Sequence, residues 1–169
     1  VLQLTARGNY GILALFYIAQ HVRGQFVSIE EISEQSRIPK PYLGKILQDL
    51  SRGGILLSRR GSGGGFTLAR SPESISLREV IEVIEGKIYL VSCQMNAAQC
   101  GQADICPISP IWGEVQKFIM GIIANITLDD ILNPDKKAQM LKLLSSSEHS
   151  YLNNVRTLKF SQTEHSFDV

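Results

Sequence analysis

From Leu4 to Val22 the apolar positions Ile12, Leu13, Leu15, Phe16, Ile18, Ala19 and Val22 cover most of a helical circumference rather than one stripe, which predicts a buried helix. Gly24 supplies its stop. Ser28-Ile29-Glu30-Glu31 then predicts a capping box, with Ser28 and Glu31 each satisfying the other's free backbone N–H. The helix it opens runs to about Gln35 and turns Ile29 and Ile32 inward. Pro39 disfavours helical geometry in the residue before it, so Ser36-Arg37-Ile38-Pro39 reads as a tight turn. A third helix, from about Pro41 to Ser51, follows from Leu43, Ile46, Leu47 and Leu50, and Gly53-Gly54 end it. Two short helices across a tight turn are a helix–turn–helix.

The pattern then changes. Ile55 to Arg70 reads ILLSRRGSGGGFTLAR, two strand-like runs around a glycine-rich turn, and a hairpin in this position is a wing. Ser76-Leu77-Arg78-Glu79 is a second capping box, opening a helix through Ile84 that Gly86 closes. A long helix starts at Pro110, with Ser109 expected as its N-cap. Its stripe of Ile111, Trp112, Val115, Phe118, Ile119, Ile122 and Ile123 is expected to face a second copy of the chain, because a small winged-helix body leaves so late an element little to cover. Thr127 with Asp130 caps a last helical turn. Ser145 to Val169 is rich in Ser, Asn, Thr and Gln without an apolar period and reads as mobile or loosely docked. The expected fold is mainly α with a small β wing. It divides into a winged helix–turn–helix domain (1–86), a cysteine loop (87–109), a dimerisation helix region (110–133) and a partly disordered extension (134–169).

At 169 residues and 44% hydrophobic the chain can bury a core. Its net charge of +1 conceals a basic segment: residues 35–72 hold seven Arg or Lys against the one acid Asp49. A basic helix followed by an arginine-flanked glycine hairpin points to DNA. A nucleotide-binding loop is the rival for the glycines, but they precede the strand-like Phe66-Thr67-Leu68 and no Gly-Lys-Ser/Thr follows. No apolar run reaches the ~18 residues of a membrane span and the first residues do not resemble a signal peptide, so a cytoplasmic, membrane-free protein is expected. His21, His149 and His165 lie far from one another and from the thiols in sequence, giving catalysis little support; each is expected at the surface, and no small-molecule substrate is expected.

All three cysteines fall within CQMNAAQCGQADIC, at Cys93, Cys100 and Cys106. Gln94, Asn96, Gln99, Gly101, Gln102 and Asp104 surround them with loop-forming polarity that a buried core would not tolerate. Disulfide bonding would leave one thiol over. A metal or iron–sulfur site with three thiolate ligands is the reading that remains.

Several motifs resemble the IscR and NsrR group of winged-helix, iron–sulfur-dependent transcription regulators. They are Leu4-Thr5 ahead of the Tyr10 helix, Pro41-Tyr42-Leu43 at the third helix, Arg60-Gly61-Ser62-Gly63-Gly64-Gly65-Phe66 in the wing, the three cysteines, and Asn125-Ile126-Thr127-Leu128. The likeness covers about residues 2–133, and the wing is its most specific piece. It implies a homodimer on a double-stranded operator, with Tyr42 to Lys45 over the major groove and Arg60 as the wing arginine. Arg37, Lys40, Arg52, Arg59, Ser62 and Gly63 complete the expected DNA-binding set. It also implies that Cys93, Cys100 and Cys106 hold the cluster; oxygen donors at the remaining position bind iron less firmly than thiolate or imidazole, which slightly favours [4Fe-4S] over [2Fe-2S]. Two departures stand out: Ser109 occupies the position of the IscR-type histidine and Asn9 that of the NsrR-type acid. The fourth ligand is therefore left among Ser109, Asn9, Asp104 and an exogenous group. A zinc or thiol-redox regulator with the same DNA domain, and a small electron-transfer or cluster-carrier protein, are the alternatives.

Overall fold

The computed structural model describes residues 4–91, 95, 100, 102 and 105–146. Among them, α1 (Ala6–Ala19), α2 (Ile29–Ser36) and α3 (Lys40–Arg52) lead into the hairpin of β1 (Leu56–Arg59) and β2 (Gly65–Leu68). A 3-10 turn (Pro72–Ser74), α4 (Leu77–Glu85), α5 (Ser109–Asn125) and α6 (Leu128–Leu132) follow. The chain forms two units, residues 1–132 and 133–169. In the second, residues 134–146 are helical, including Ser145 and Ser146 from the stretch expected to be loose. No described helix is long and apolar enough to cross a membrane.

One core holds the first unit together. Leu15 and Ile18 of α1, Ile32 of α2, Leu43, Ile46, Leu47 and Leu50 of α3, and Val80 and Ile84 of α4 are all buried in it. The i, i+3, i+4, i+7 spacing of the α3 residues puts all four on one face, which leaves the opposite face to solvent. The chain returns to this core after α5. Leu77 N–H donates to the Ile126 carbonyl at 2.7 Å and Leu128 N–H to that of Ile75 at 2.9 Å, so Leu128 is buried beside the start of α4.

The hairpin is antiparallel, with Leu56 opposite Leu68 and Arg59 opposite Gly65. Val27, just before α2, bridges to Phe66 through two backbone hydrogen bonds of 2.9 Å, which roots the wing against the helix–turn–helix. Gly65 makes this approach possible: its φ is +146° and a Cβ there would lie 2.1 Å from the Val27 carbonyl oxygen.

Ser28 and Ser76 accept from the N–H groups of Glu31 (3.1 Å) and Glu79 (3.2 Å), as expected of N-caps. The return halves of both boxes are replaced. Glu31 accepts instead from the Tyr17 hydroxyl at 3.0 Å and lies 3.4 Å from His21 Nε2, while Glu79 pairs with Arg70. His21 is correspondingly no surface histidine: its side chain is 18% exposed and sits edge-on to the Tyr17 ring. His149 and His165 lie outside the described residues. Thr127 and Asp130 form a complete reciprocal box at 2.8 and 3.2 Å. Ser109 does not cap α5. It is the first helical residue, and the preceding Ile108 already has right-handed helical angles, because the chain enters through a turn in which Ser109 N–H reaches the Cys106 carbonyl at 3.4 Å.

Candidate nucleic-acid interface and thiol loop

The solvent face of α3 carries Lys40, Pro41, Tyr42, Lys45, Gln48 and Arg52, all exposed. It is reached from α2 through Arg37, whose backbone is left-handed at φ 56° and ends α2 with a sharp turn. Gln48 was missing from the residues picked out by charge. Its position three residues beyond Lys45 and four before Arg52 places it on the same face, and its amide is a side chain suited to reading adenine. Gly44 lies on α3 as well, and a Cβ there would meet only Ile29 Cδ1 at an ordinary 3.7 Å, so packing does not require glycine.

The seven cations of the basic segment are not equivalent. Arg70 is tied to Glu79 and the Ser74 carbonyl, Arg52 to Asp49 at 3.3 Å, and Lys40 to Glu30 at 3.3 Å. A hydrogen bond from its own backbone N–H, and then the Lys40 ammonium, hold the Glu30 carboxyl below the usual glutamate range. Arg59 turns back on the wing. Its guanidinium lies 4.2 Å from the Phe26 ring centroid and donates to the Gly63 carbonyl at 2.6 Å. Arg37, Lys45 and Arg60 are exposed and make no hydrogen bond or ion pair with any described residue. These three charges therefore remain for an external anion. Ser62 and Gly63 are exposed at the hairpin tip. The Tyr10 and Tyr42 rings, 6.5 Å apart, join the start of α1 to the start of α3 along a cleft of about 560 Å³ that Lys45 and Arg7 also line.

The thiol loop is described only in part. Cys100 and Cys106 are free thiols of intermediate exposure, whereas Cys93 and Asp104 lie outside the described residues. Among the described residues no group of three or more Cys, His, Asp or Glu converges on a metal position. The approach to Cys93 is held by Gln116 of α5, which accepts from Leu90 N–H at 2.8 Å and donates to the Ile88 carbonyl at 2.6 Å. Asn9 is exposed near the start of α1 and Ser109 is exposed at the start of α5. Along α5 only Met120 is buried, and Ile111 is 60% exposed.

A helix–turn–helix with a rooted wing, presenting unpaired cations beside an open helix face, defines a winged helix–turn–helix DNA-binding protein. Residues 4–134 match the family described as "Rrf2: Iron-dependent Transcriptional regulator", and the chain belongs to that family. It is similar to the HTH-type transcriptional regulator IscR of Klebsiella pneumoniae (strain 342), at 27% identity over 168 residues covering 99% of this chain and 98% of that protein. The IscR of Escherichia coli O1:K1 is 30% identical over 132 residues, covering 78% of this chain and 81% of that one. Among solved structures, T. potens IscR superposes with a TM-score of 0.60 at 32% identity, covering 82% and 91% of the two chains. CymR of B. subtilis shares the fold at 23% identity with a TM-score of 0.63, covering 78% and 97%. The protein is a transcriptional regulator of this family and not an enzyme.

Proposed function

We propose that the chain is a homodimeric operator-binding regulator whose DNA affinity is set by an iron–sulfur cluster on Cys93, Cys100 and Cys106. The observation that carries the DNA half is the sorting of cations, which leaves Lys45 on α3 and Arg60 on the wing without partners among the described residues. Lys40, Tyr42, Lys45 and Gln48 address the major groove, Arg37 and Arg52 hold phosphates at its edges, and Arg60 enters the minor groove at a hairpin tip formed by Ser62 and Gly63. Arg59 braces that hairpin from within.

The cluster half rests on the donor set. Two partly exposed, unbridged thiols and a third within the same polar loop are soft donors, and with iron and sulfide they suit a cluster better than an oxygen-rich cation. When bound, the cluster supplies a redox- and ligand-sensitive group. Three thiolates leave one position to Ser109, Asn9, Asp104 or an exogenous oxygen donor, which favours a [4Fe-4S] form that is lost readily in air. The exposed apolar residues of α5 seat the second subunit, so that two α3 helices address two half-sites.

Anaerobic purification followed by an absorption spectrum with iron and sulfide analysis tests the cofactor. A coloured protein with both elements supports the reading. Stoichiometric zinc without colour replaces it with a zinc or thiol regulator on the same DNA-binding domain.

A further inference from the structure

Three helices meet at Arg7. Its Nη1 donates to the Ile84 carbonyl at 2.7 Å, in the last turn of α4, where carbonyls lack intrahelical donors. Its Nη2 pairs with Asp49 of α3, whose side chain is 19% exposed. In the opposite direction Glu85, the last residue of α4, accepts from the Thr5 hydroxyl and from Gly8 N–H at 2.9 Å, and so joins the Thr5 side chain, which accepts from Arg7 N–H and Gly8 N–H, in capping the start of α1. Each helix end thus carries the other's counter-charge: a cation at the C-terminus of α4 and a carboxylate at the N-terminus of α1. Gly8 allows this closeness, since a Cβ there would lie 2.6 Å from Glu85 Oε1.

The junction stands at the root of the thiol loop. Glu85 and Gly86 begin the segment that leads to Cys93, and three and five residues beyond Glu85, Ile88 and Leu90 are clamped to α5 by Gln116. A displacement of that short span has two fixed points to act upon, α5 and the Arg7 junction. The guanidinium is the described group that binds both the root of the loop and the DNA-reading helix, and its planar fork can span two acceptors where an ammonium, a point charge, holds only one well.

We infer that Arg7 is a positioning residue which locks the C-terminal half of α3 to the root of the thiol loop, so that the state of the loop reaches the DNA-reading face through the Ile84–Arg7–Asp49 bridge. This rests on the proposed cluster control of operator binding. A merely structural Arg7 would weaken both forms of the protein alike. A coupling Arg7 sets the ratio between them, which is the quantity that defines allostery.

The test compares wild type, Arg7→Gln, Arg7→Lys and, as a control, Arg52→Gln, which removes the other partner of Asp49. Operator dissociation constants are measured for the cluster-loaded and cluster-free forms, and amide exchange for the cluster-free form. Arg7→Gln and Arg7→Lys are expected to shrink the loaded-to-free ratio at least fivefold. Both should speed exchange in α3 and across residues 87–91 in cluster-free protein, whereas Arg52→Gln should affect α3 alone. A wild-type ratio retained in both Arg7 variants, or α3 exchange unchanged by Arg7→Gln, overturns the inference. A ratio of one in the wild type itself overturns cluster control, and the exchange result then decides the bridge separately.

Discussion

Arg59 and Arg60 are neighbours in sequence with opposite structural roles, and the difference can be measured. Replacing Arg60 by Ala removes a side chain with no partner among the described residues, so the folded protein should change by less than about 0.5 kcal/mol. Loss of its proposed minor-groove contact should cost about 1–3 kcal/mol of operator binding, roughly five- to 150-fold in affinity. Arg59→Ala removes a cation–π contact at 4.2 Å and a charge-assisted hydrogen bond at 2.6 Å. The first contributes about 0.5–1 kcal/mol at an exposed site, and the second about 1 kcal/mol after discounting for solvent. A chain of this size should then melt about 3–8 °C lower. The assay is a thermal melt paired with an anisotropy titration on one operator for both variants. If Arg60→Ala binds like wild type, or Arg59→Ala melts like it, the division between reader and brace is wrong.

Gly44→Ala should stabilise the protein by about 0.5–1 kcal/mol in a denaturant melt, because the added methyl meets only ordinary contact at Ile29 and helical glycine is entropically costly; a loss of stability would contradict this. Glu30→Gln releases Lys40 and should raise operator affinity about two- to threefold while steepening its salt dependence by about one ion in a salt titration. In the wild type this Lys40–Glu30 tie is present above about pH 4.5, the ordinary glutamate value, and is lost as pH falls through the lowered folded value. Ile111→Lys alters a side chain 60% exposed in the single chain, so sedimentation should show a dimer for the wild type and a folded monomer for the variant; two dimers would place the proposed interface elsewhere.

The helices of the DNA-binding domain were legible because their signals are local. Periodic Leu43, Ile46, Leu47 and Leu50, the N-caps Ser28 and Ser76, and the glycine hairpin each act within a few residues. What escaped was set by partners distant in the chain. Nothing near Glu31 foretells that Tyr17 and His21 take its carboxylate, and nothing near Arg59 foretells Phe26. The basic segment announced DNA by its charge, yet which cations remain free depends on acids such as Glu30 and Glu79 that only folding brings close. Ser109 failed as a cap because a Ser-Pro signal cannot register that the preceding turn already has helical angles. The three cysteines were conspicuous as a cluster, but Gln116, which holds their approach, lies 26 residues from its partner Leu90 and carries no pattern of its own.

Cluster occupancy is proposed to change DNA affinity. The most direct measurement is a titration of one two-fold-related operator, selected from a random DNA pool, with anaerobic protein carrying measured iron and sulfide and with the same preparation stripped of both, at a single salt concentration. The two dissociation constants are expected to differ by at least about fivefold, the lower end of a typical allosteric coupling. Two superimposable binding curves would contradict it.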